Sequence, residues 1–189
     1  WDSVMNYDAF MEPLTWFLTG MEKHSDSFSG ELLGNGENFF NAMRYHMSRM
    51  QPSSILTAMN ELSNHDHSRF LTRTNGVVGR IGTVGADAAN RGVKVCVLRE
   101  AVMVQMTWPG APTVYYGDEA GVCGWTDPDS RRTYPWGHED LELIEFHRYM
   151  IRIHKALPVL RSGAVKELLA GRNVIAYGRM LGKYQAVVA

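Results

Sequence analysis

Three clusters of polar side chains carry the groups in this sequence that could do chemistry. They are Asn6-Tyr7, Asn64-His65-Asp66 and Tyr115-Tyr-Gly-Asp-Glu119, and each stands at the end of a short strand-like segment. Polar groups beside a buried strand are costly unless they are paired, so these positions require a specific reason. Either Asp66 meets a ligand, or it caps the next helix while His65 is a hydrogen-bonded core residue. Position alone leaves both interpretations open, because short motifs often match by chance.

The elements that position these clusters alternate between short apolar strands and segments with helical periodicity. This alternation is typical of βα units on a parallel sheet, where ligands meet the carboxyl ends of the strands. The predicted strands span 2–7, 54–62 and 112–116. The predicted helices, from apolar residues at helical spacing, span 13–22, 37–50, 92–107 and 139–157. Glycine and polar residues predict a loop over 25–36 and a long, mobile connection over 70–90.

The pattern changes after Pro158, where strand-like segments follow one another without helices between them. These segments span 165–169, 174–180 and 184–189. We therefore predict an α/β part over residues 1–158 and the start of an all-β part over residues 159–189. The last segment ends in the middle of its pattern, so we expect the chain to be a piece of a larger protein.

Composition excludes several classes of function. The chain has 189 residues, 45% of them hydrophobic and 21% charged, with a formal net charge of −1. A neutral chain exerts no long-range attraction on nucleic acid or an anionic membrane surface, and we expect neither partner. The two cysteines, Cys96 and Cys123, cannot form a disulfide framework or a four-ligand zinc site by themselves. Localisation stays open, with the cytoplasm favoured.

Four segments carry a resemblance to a known family. The run from Asn60 to Asp66, with Arg69-Phe70 after it, resembles the fourth conserved region of the α-amylase family, glycoside hydrolase family 13. Residues 1–7 and 111–119 are similar to the sixth and eighth barrel strands of that family. Residues 124–131 resemble the sugar-binding loop of neopullulanases, cyclomaltodextrinases and maltogenic amylases. The four segments also occur in the order and at the spacing of that family.

The resemblance implies an α/β fold, with the last three βα units of a (β/α)8 TIM barrel followed by the first strands of a β-sandwich domain. It implies a retaining glycosidase that acts on an α-glucan or maltooligosaccharide. Such enzymes need a carboxylate nucleophile and a carboxylic acid. In this family both lie on the fourth and fifth strands, upstream of Trp1, so we expect the chain to be inactive alone. Two alternatives are a non-catalytic carbohydrate-binding or interaction module and a metal-dependent hydrolase using His65 and His67.

The resemblance also implies roles for individual residues. Asp66 matches the third acid of the family, which binds sugar hydroxyls and favours the oxocarbenium-like transition state. Asp127 and Arg131 match a pair that grips a glucose unit. The predicted substrate-binding residues are Tyr7, Asn64, His65, Arg69, Trp125, Asp127 and Arg131. Trp125 is expected to be an aromatic platform for a sugar ring.

Three further expectations concern the surroundings of this site. Asp118 and Glu119 face opposite ways on an extended chain, so we expect them to hold the barrel mouth, with Glu119 as the structural residue. His65 and His67 lack an obvious third ligand, so no metal and no cofactor is assigned. Calcium occurs in parts of the family, but no oxygen cluster identifies a site here. Three barrel strands leave unpaired edges, and we expect the chain to self-associate through them.

Overall fold

The computed structural model describes residues 3–189, and Trp1 and Asp2 lie outside the described residues. The helices are α1 (Glu12–Thr19), α2 (Gly36–Met47), α3 (Pro52–Thr57), α4 (Phe70–Arg73), α5 (Ile81–Val84), α6 (Val95–Thr107), α7 (Leu141–Ala156) and α8 (Pro158–Ser162). The strands are β1 (Met59–Glu61), β2 (Ala111–Thr113), β3 (Ala164–Gly171), β4 (Val174–Leu181) and β5 (Tyr184–Val188). In the described range, no helix combines the length and apolar character that a membrane crossing requires.

A short parallel sheet positions the polar clusters. Strand β1 pairs in parallel with β2, in a register that sets Met59 beside Ala111 and Glu61 beside Thr113. On the other side of β1, Met5 forms an isolated parallel bridge with Met59. The three polar clusters therefore follow three parallel segments, and all three lie at the carboxyl ends of these segments.

The predicted strands are longer than the observed ones. Asp2, the first residue of the strand predicted over 2–7, lies outside the described residues. Over residues 3–7 the structure shows only the bridge at Met5, and a π-helical turn begins at Tyr7. Most of the strand predicted over 54–62 is wrong, because helix α3 occupies Pro52–Thr57 and only Met59–Glu61 is extended. Proline is well suited to the first turn of a helix, since its fixed φ is helical and its missing N–H is not needed there.

Side-chain caps and a left-handed glycine set the helix boundaries. Helix α1 ends early because Gly20 adopts a φ of 67°, which breaks the helix. The side chains of Asn35 and Asp140 accept hydrogen bonds from the first turns of α2 and α7. The connection over 70–90 is more structured than predicted, since it contains α4, α5 and a 3₁₀ turn.

Strands β3, β4 and β5 form an antiparallel sheet that packs against the end of α6. The rings of Trp108 and Tyr177 meet edge to face with centroids 4.9 Å apart. The hydroxyls of Tyr177 and Thr107 lie 2.6 Å apart, and the buried Arg179 donates to the carbonyl oxygens of Thr107 and Gly163. Helix α8 occupies the start of the part predicted to be all-β, and consecutive strands begin only at Ala164.

Candidate functional site

Asn64 organises the turn that follows β1. Its side-chain oxygen accepts hydrogen bonds from the backbone N–H groups of Asp66, at 2.9 Å, and His67, at 3.1 Å. Its side-chain amide donates to the hydroxyl of Tyr7 and to the carboxylate of Glu61. Asn64 is buried, so both ends of its amide are used to fix the turn rather than left to solvent. Tyr7 and Asn64, both predicted to bind substrate, are therefore hydrogen-bonded to each other, and Asn64 is buried in the turn.

The side chains of His65 and Asp66 point outward from this turn. They are 45% and 56% exposed, and His65 Nε2 lies 3.3 Å from Asp66 Oδ1. At the N-terminus of α4, the backbone N–H of Phe70 donates its hydrogen bond to Ser63 Oγ rather than to Asp66. Asp66 therefore does not cap that helix, and its carboxylate is available to a ligand.

The loop predicted to bind sugar lies directly against this turn. Ser130 Oγ donates to the carbonyl oxygen of His65 at 2.7 Å, and Asp127 N donates to the carbonyl oxygen of Asp66 at 3.4 Å. Arg131 Nε donates to Asp127 Oδ1 at 2.5 Å, and both side chains are about half exposed. The hydrogen bond that Arg131 donates to Asp127, with a smaller contribution from the charge of Asp66, raises the pKa of Arg131. Two pairs of exposed polar side chains therefore lie side by side on the surface. We call this surface the rim; it consists of His65, Asp66, Asp127 and Arg131.

Arg69 is a correction to the predicted set. Its guanidinium donates to the carbonyl oxygens of Ser130 and Tyr116, at 2.9 and 2.6 Å, and to Asp118 Oδ1 at 3.0 Å. It also lies over the ring of Tyr115, 4.1 Å from the centroid. The side chain has no exposed surface, so it cannot contact a substrate in this geometry. Arg69 instead joins the loops that carry the two halves of the rim.

The structural role expected of Glu119 belongs to Asp118. Gly117 adopts a φ of 86° before a short 3₁₀ turn, and this turn directs Asp118 inward to Arg69. Burial raises the pKa of the Asp118 carboxyl, and the charge of Arg69 opposes that shift. Glu119 lies beside Tyr134 instead, away from the pair.

Trp125 is a second correction, because its ring is fully buried. The indole N–H donates to the carbonyl oxygen of Gly85 at 3.0 Å, and the backbone N–H donates to Asp129 Oδ2 at 2.8 Å. The hydrogen bond from Trp125 N to the Asp129 carboxylate folds the loop back on itself and turns residue 125 into the core. A buried ring cannot stack on sugar, so the predicted platform is wrong.

Two buried ionisable residues lie near the turn: Glu61, which was not singled out from the sequence, and His67, which was named only for the metal-dependent alternative. Burial raises the pKa of Glu61 at the end of β1. Burial also lowers the pKa of His67 to about 3, and its ring lies between those of Tyr7 and His24. His65 faces outward while His67 is buried, so the turn separates the two imidazoles that a metal-dependent hydrolase would use together.

Comparison with known proteins assigns the chain to a family. Residues 2–156 match the family model "Alpha amylase, catalytic domain". The chain is 36% identical to an amylopullulanase of Thermoanaerobacterium thermosulfurigenes over 187 residues, which cover 95% of this chain and 10% of that protein. It is 33% identical to neopullulanase 2 of Thermoactinomyces vulgaris, over 93% of this chain and 26% of that protein. The chain belongs to the α-amylase family.

Solved structures agree with this assignment. The native form of a debranching enzyme from Nostoc punctiforme superimposes with a TM-score of 0.80 at 26% identity, covering 99% of this chain and 36% of that one. The fold is therefore part of an α-amylase-type (β/α)8 barrel. The chain spans about a quarter or less of the two curated relatives and about a third of the solved one.

Proposed function

We propose that this chain is part of a retaining glycoside hydrolase that acts on α-glucans. It would contribute the residue that stabilises the transition state and some of the residues that bind sugar. Residues 1–158 would supply the last three βα units of the barrel, and residues 159–189 the first strands of a β-sandwich domain. Membership of the α-amylase family supports the reaction class. The names of the relatives, amylopullulanase and neopullulanase, support an α-glucan as substrate.

The observation that carries the proposal is the shared rim formed by His65, Asp66, Asp127 and Arg131. A carboxylate that is half exposed beside an imidazole can accept hydrogen bonds from sugar hydroxyls. In the proposed reaction Asp66 binds hydroxyls of the reacting ring more tightly as the ring flattens toward the oxocarbenium-like transition state. Interactions that strengthen only in the transition state raise kcat. His65 would donate to a neighbouring hydroxyl.

Asp127 and Arg131 would hold a second glucose unit. The two groups form an ion pair at the protein surface, and a carboxylate and a guanidinium together offer acceptors and donors to adjacent hydroxyls. Their loop is fixed to the Asp66 turn through Ser130, so the spacing between the two sugar contacts is set by the fold. This arrangement would align the chain of the glucan across the rim.

The chain alone would not turn over substrate. A retaining mechanism needs a carboxylate nucleophile and a carboxylic acid about 5–5.5 Å apart, one on each side of the bond. The family resemblance implies that both would lie on the fourth and fifth barrel strands rather than in the three units proposed for this chain. We also propose that the isolated chain self-associates through its open sheet edges, which sedimentation would detect as dimers or larger species.

The decisive experiment is the substitution Asp66→Asn in the enzyme that carries this chain together with its preceding barrel strands. We expect kcat on a maltooligosaccharide to fall on the order of 10²–10³-fold, as when other electrostatic transition-state contacts are removed. The matched control is Glu142→Gln, which makes the same carboxylate-to-amide change at an 89% exposed side chain on α7. A kcat that is equal in both variants would refute the role of Asp66.

A further inference from the structure

A second cluster of ligand-type side chains lies in the loop between α1 and α2. Glu22, His24 and Asp26 each offer one ligand atom, and these atoms all lie within 4.8 Å of one another. The cluster is compact because the Glu22 carboxylate accepts from the backbone N–H of His24 at 2.8 Å and lies 2.7 Å from His24 Nδ1. Imidazole nitrogen and carboxylate oxygen together are the donors that Zn²⁺ commonly takes in proteins.

His67 supplies an independent observation beside this cluster. Its side chain is buried, with 3% of the residue exposed, and its Nδ1 has no hydrogen-bond partner among residues 3–189. Its ring contacts the ring of His24 edge to face, with centroids 4.7 Å apart. A buried polar atom without a partner is costly, and such atoms call for a specific explanation. The contact places an imidazole with an unpartnered nitrogen directly beside His24.

The loop is already fastened to the segment that carries His67. Ser25 Oγ lies 2.8 Å from Ser68 Oγ, and Ser68 Oγ also donates to the carbonyl oxygen of Lys23 at 3.0 Å. Gly79 N donates to the carbonyl oxygen of Ser25 at 2.9 Å. The loop that carries the three donors is therefore held in place before any ion arrives, which lowers the ordering cost of binding.

We propose that Glu22, His24 and Asp26 form a Zn²⁺-binding site, beside which the buried ring of His67 packs against His24. The site is separate from the sugar-binding rim and does not depend on the proposed hydrolase activity. The ion would order the loop, and the hydrogen bonds between the loop and Ser68 would in turn support the turn that carries the rim.

Two cations compete with the ion. Arg80 donates to both oxygens of Asp26, but each side chain of this pair is nearly half exposed, and such surface pairs contribute little. Lys23 pairs with Glu12 and lies 4.0 Å from Glu22. A divalent ion with several ligands outcompetes single exposed contacts of this kind, and removal of Arg80 would free the carboxylate of Asp26.

The test is equilibrium dialysis of the chain against Zn²⁺ after removal of metal with a chelator. The background is Cys96→Ser, since this exposed thiol could bind zinc by itself. We expect one Zn²⁺ per chain, with affinity at least tenfold lower in His24→Ala and Glu22→Gln. The matched control is His138→Ala, which removes another exposed imidazole outside the cluster and leaves the affinity unchanged.

Two more variants sharpen the test. Arg80→Ala should bind Zn²⁺ more tightly, and Asp26→Asn several-fold more weakly, with Co²⁺ absorption in the visible range reporting a change in the ligand set. Circular dichroism confirms that each variant is folded, and the near-isosteric Glu22→Gln keeps the test valid where His24→Ala does not fold. Absence of stoichiometric binding, or binding that His24→Ala and Glu22→Gln leave intact, would overturn the proposal.

Discussion

The guanidinium of Arg69 and the carboxylate of Asp118 form an ion pair from which solvent is excluded. Nη1 and Oδ1 lie 3.0 Å apart, and the side chains are 0% and 6% exposed. The pair joins the turn after β1 to the turn after β2, and Arg69 continues the link to Ser130. The positions of the exposed rim residues therefore depend on a charged pair that is itself buried.

Removing one partner of this pair should destabilise the fold strongly. We expect Asp118→Asn and Arg69→Ala each to lower the free energy of unfolding by about 3–5 kcal/mol, because the remaining charge is buried without its partner. Urea denaturation followed by circular dichroism measures the change. Arg148→Ala is the control, since its pair with Glu145 is more than 60% exposed on both sides and contributes about 0–1 kcal/mol. Equal losses in all three variants would contradict this assignment.

Trp125 should act through stability rather than through sugar binding. Its ring is fully buried, so Trp125→Ala should lower the free energy of unfolding by about 3–5 kcal/mol through the cavity it leaves. Trp136 is the matched control, because its ring is 79% exposed and Trp136→Ala should change stability by about 0.5 kcal/mol or less. Thermal unfolding of the two variants gives the comparison. If Trp125→Ala unfolds as the unmodified chain does, the ring is not part of the core.

The sequence predicted the parts of the fold that follow from local periodicity. Helices α6 and α7 and the strands β3 to β5 carry long, regular patterns, and the structure places them close to the predicted ranges. The segment before β1 misled the prediction, because Ile55 and its neighbours suit a strand and a helix equally well over so few residues. There, Pro52 decides for a helix.

Exposure of the site residues depends on tertiary contacts that the sequence does not display. Asp66 and Trp125 both lie in matched motifs, yet one is half exposed and the other is fully buried. The difference arises because Asn64 turns the chain outward and Asp129 turns it inward. Likewise, nothing local indicates that His67 meets His24 across 43 positions, since only the packing of two loops brings the rings together.

Glu61 should give the stability of the chain a measurable pH dependence. Burial raises its pKa above the ordinary value of 4.5, so the folded chain holds this proton more tightly than the unfolded chain does. The stability gained in this way is present below pH 4.5 and is lost as the pH rises through the folded pKa. Glu61→Gln cannot lose a proton, so its stability relative to the unmodified chain should increase from pH 4 to pH 7.

Urea denaturation at several pH values measures that difference, and the other carboxyl groups cancel because both chains contain them. Glu142→Gln serves as the control, since its side chain is 89% exposed and its curve should run parallel to that of the unmodified chain. Parallel curves for Glu61→Gln as well would show that the pKa of Glu61 is the same in the folded and unfolded chains.

Asp127 and Arg131 should affect substrate binding without affecting the fold. Their ion pair is about half exposed and lies on a loop held by Ser130, so the loop keeps its shape when either charge is removed. In the enzyme with a complete barrel, we expect Asp127→Asn and Arg131→Ala to raise KM for a maltooligosaccharide on the order of tenfold, as loss of one charge-assisted hydrogen bond would. Arg152→Ala, at an exposed position on α7, should leave KM unchanged. A fall in kcat with constant KM would instead place the pair at the reacting sugar, because only contacts confined to the transition state act in that way.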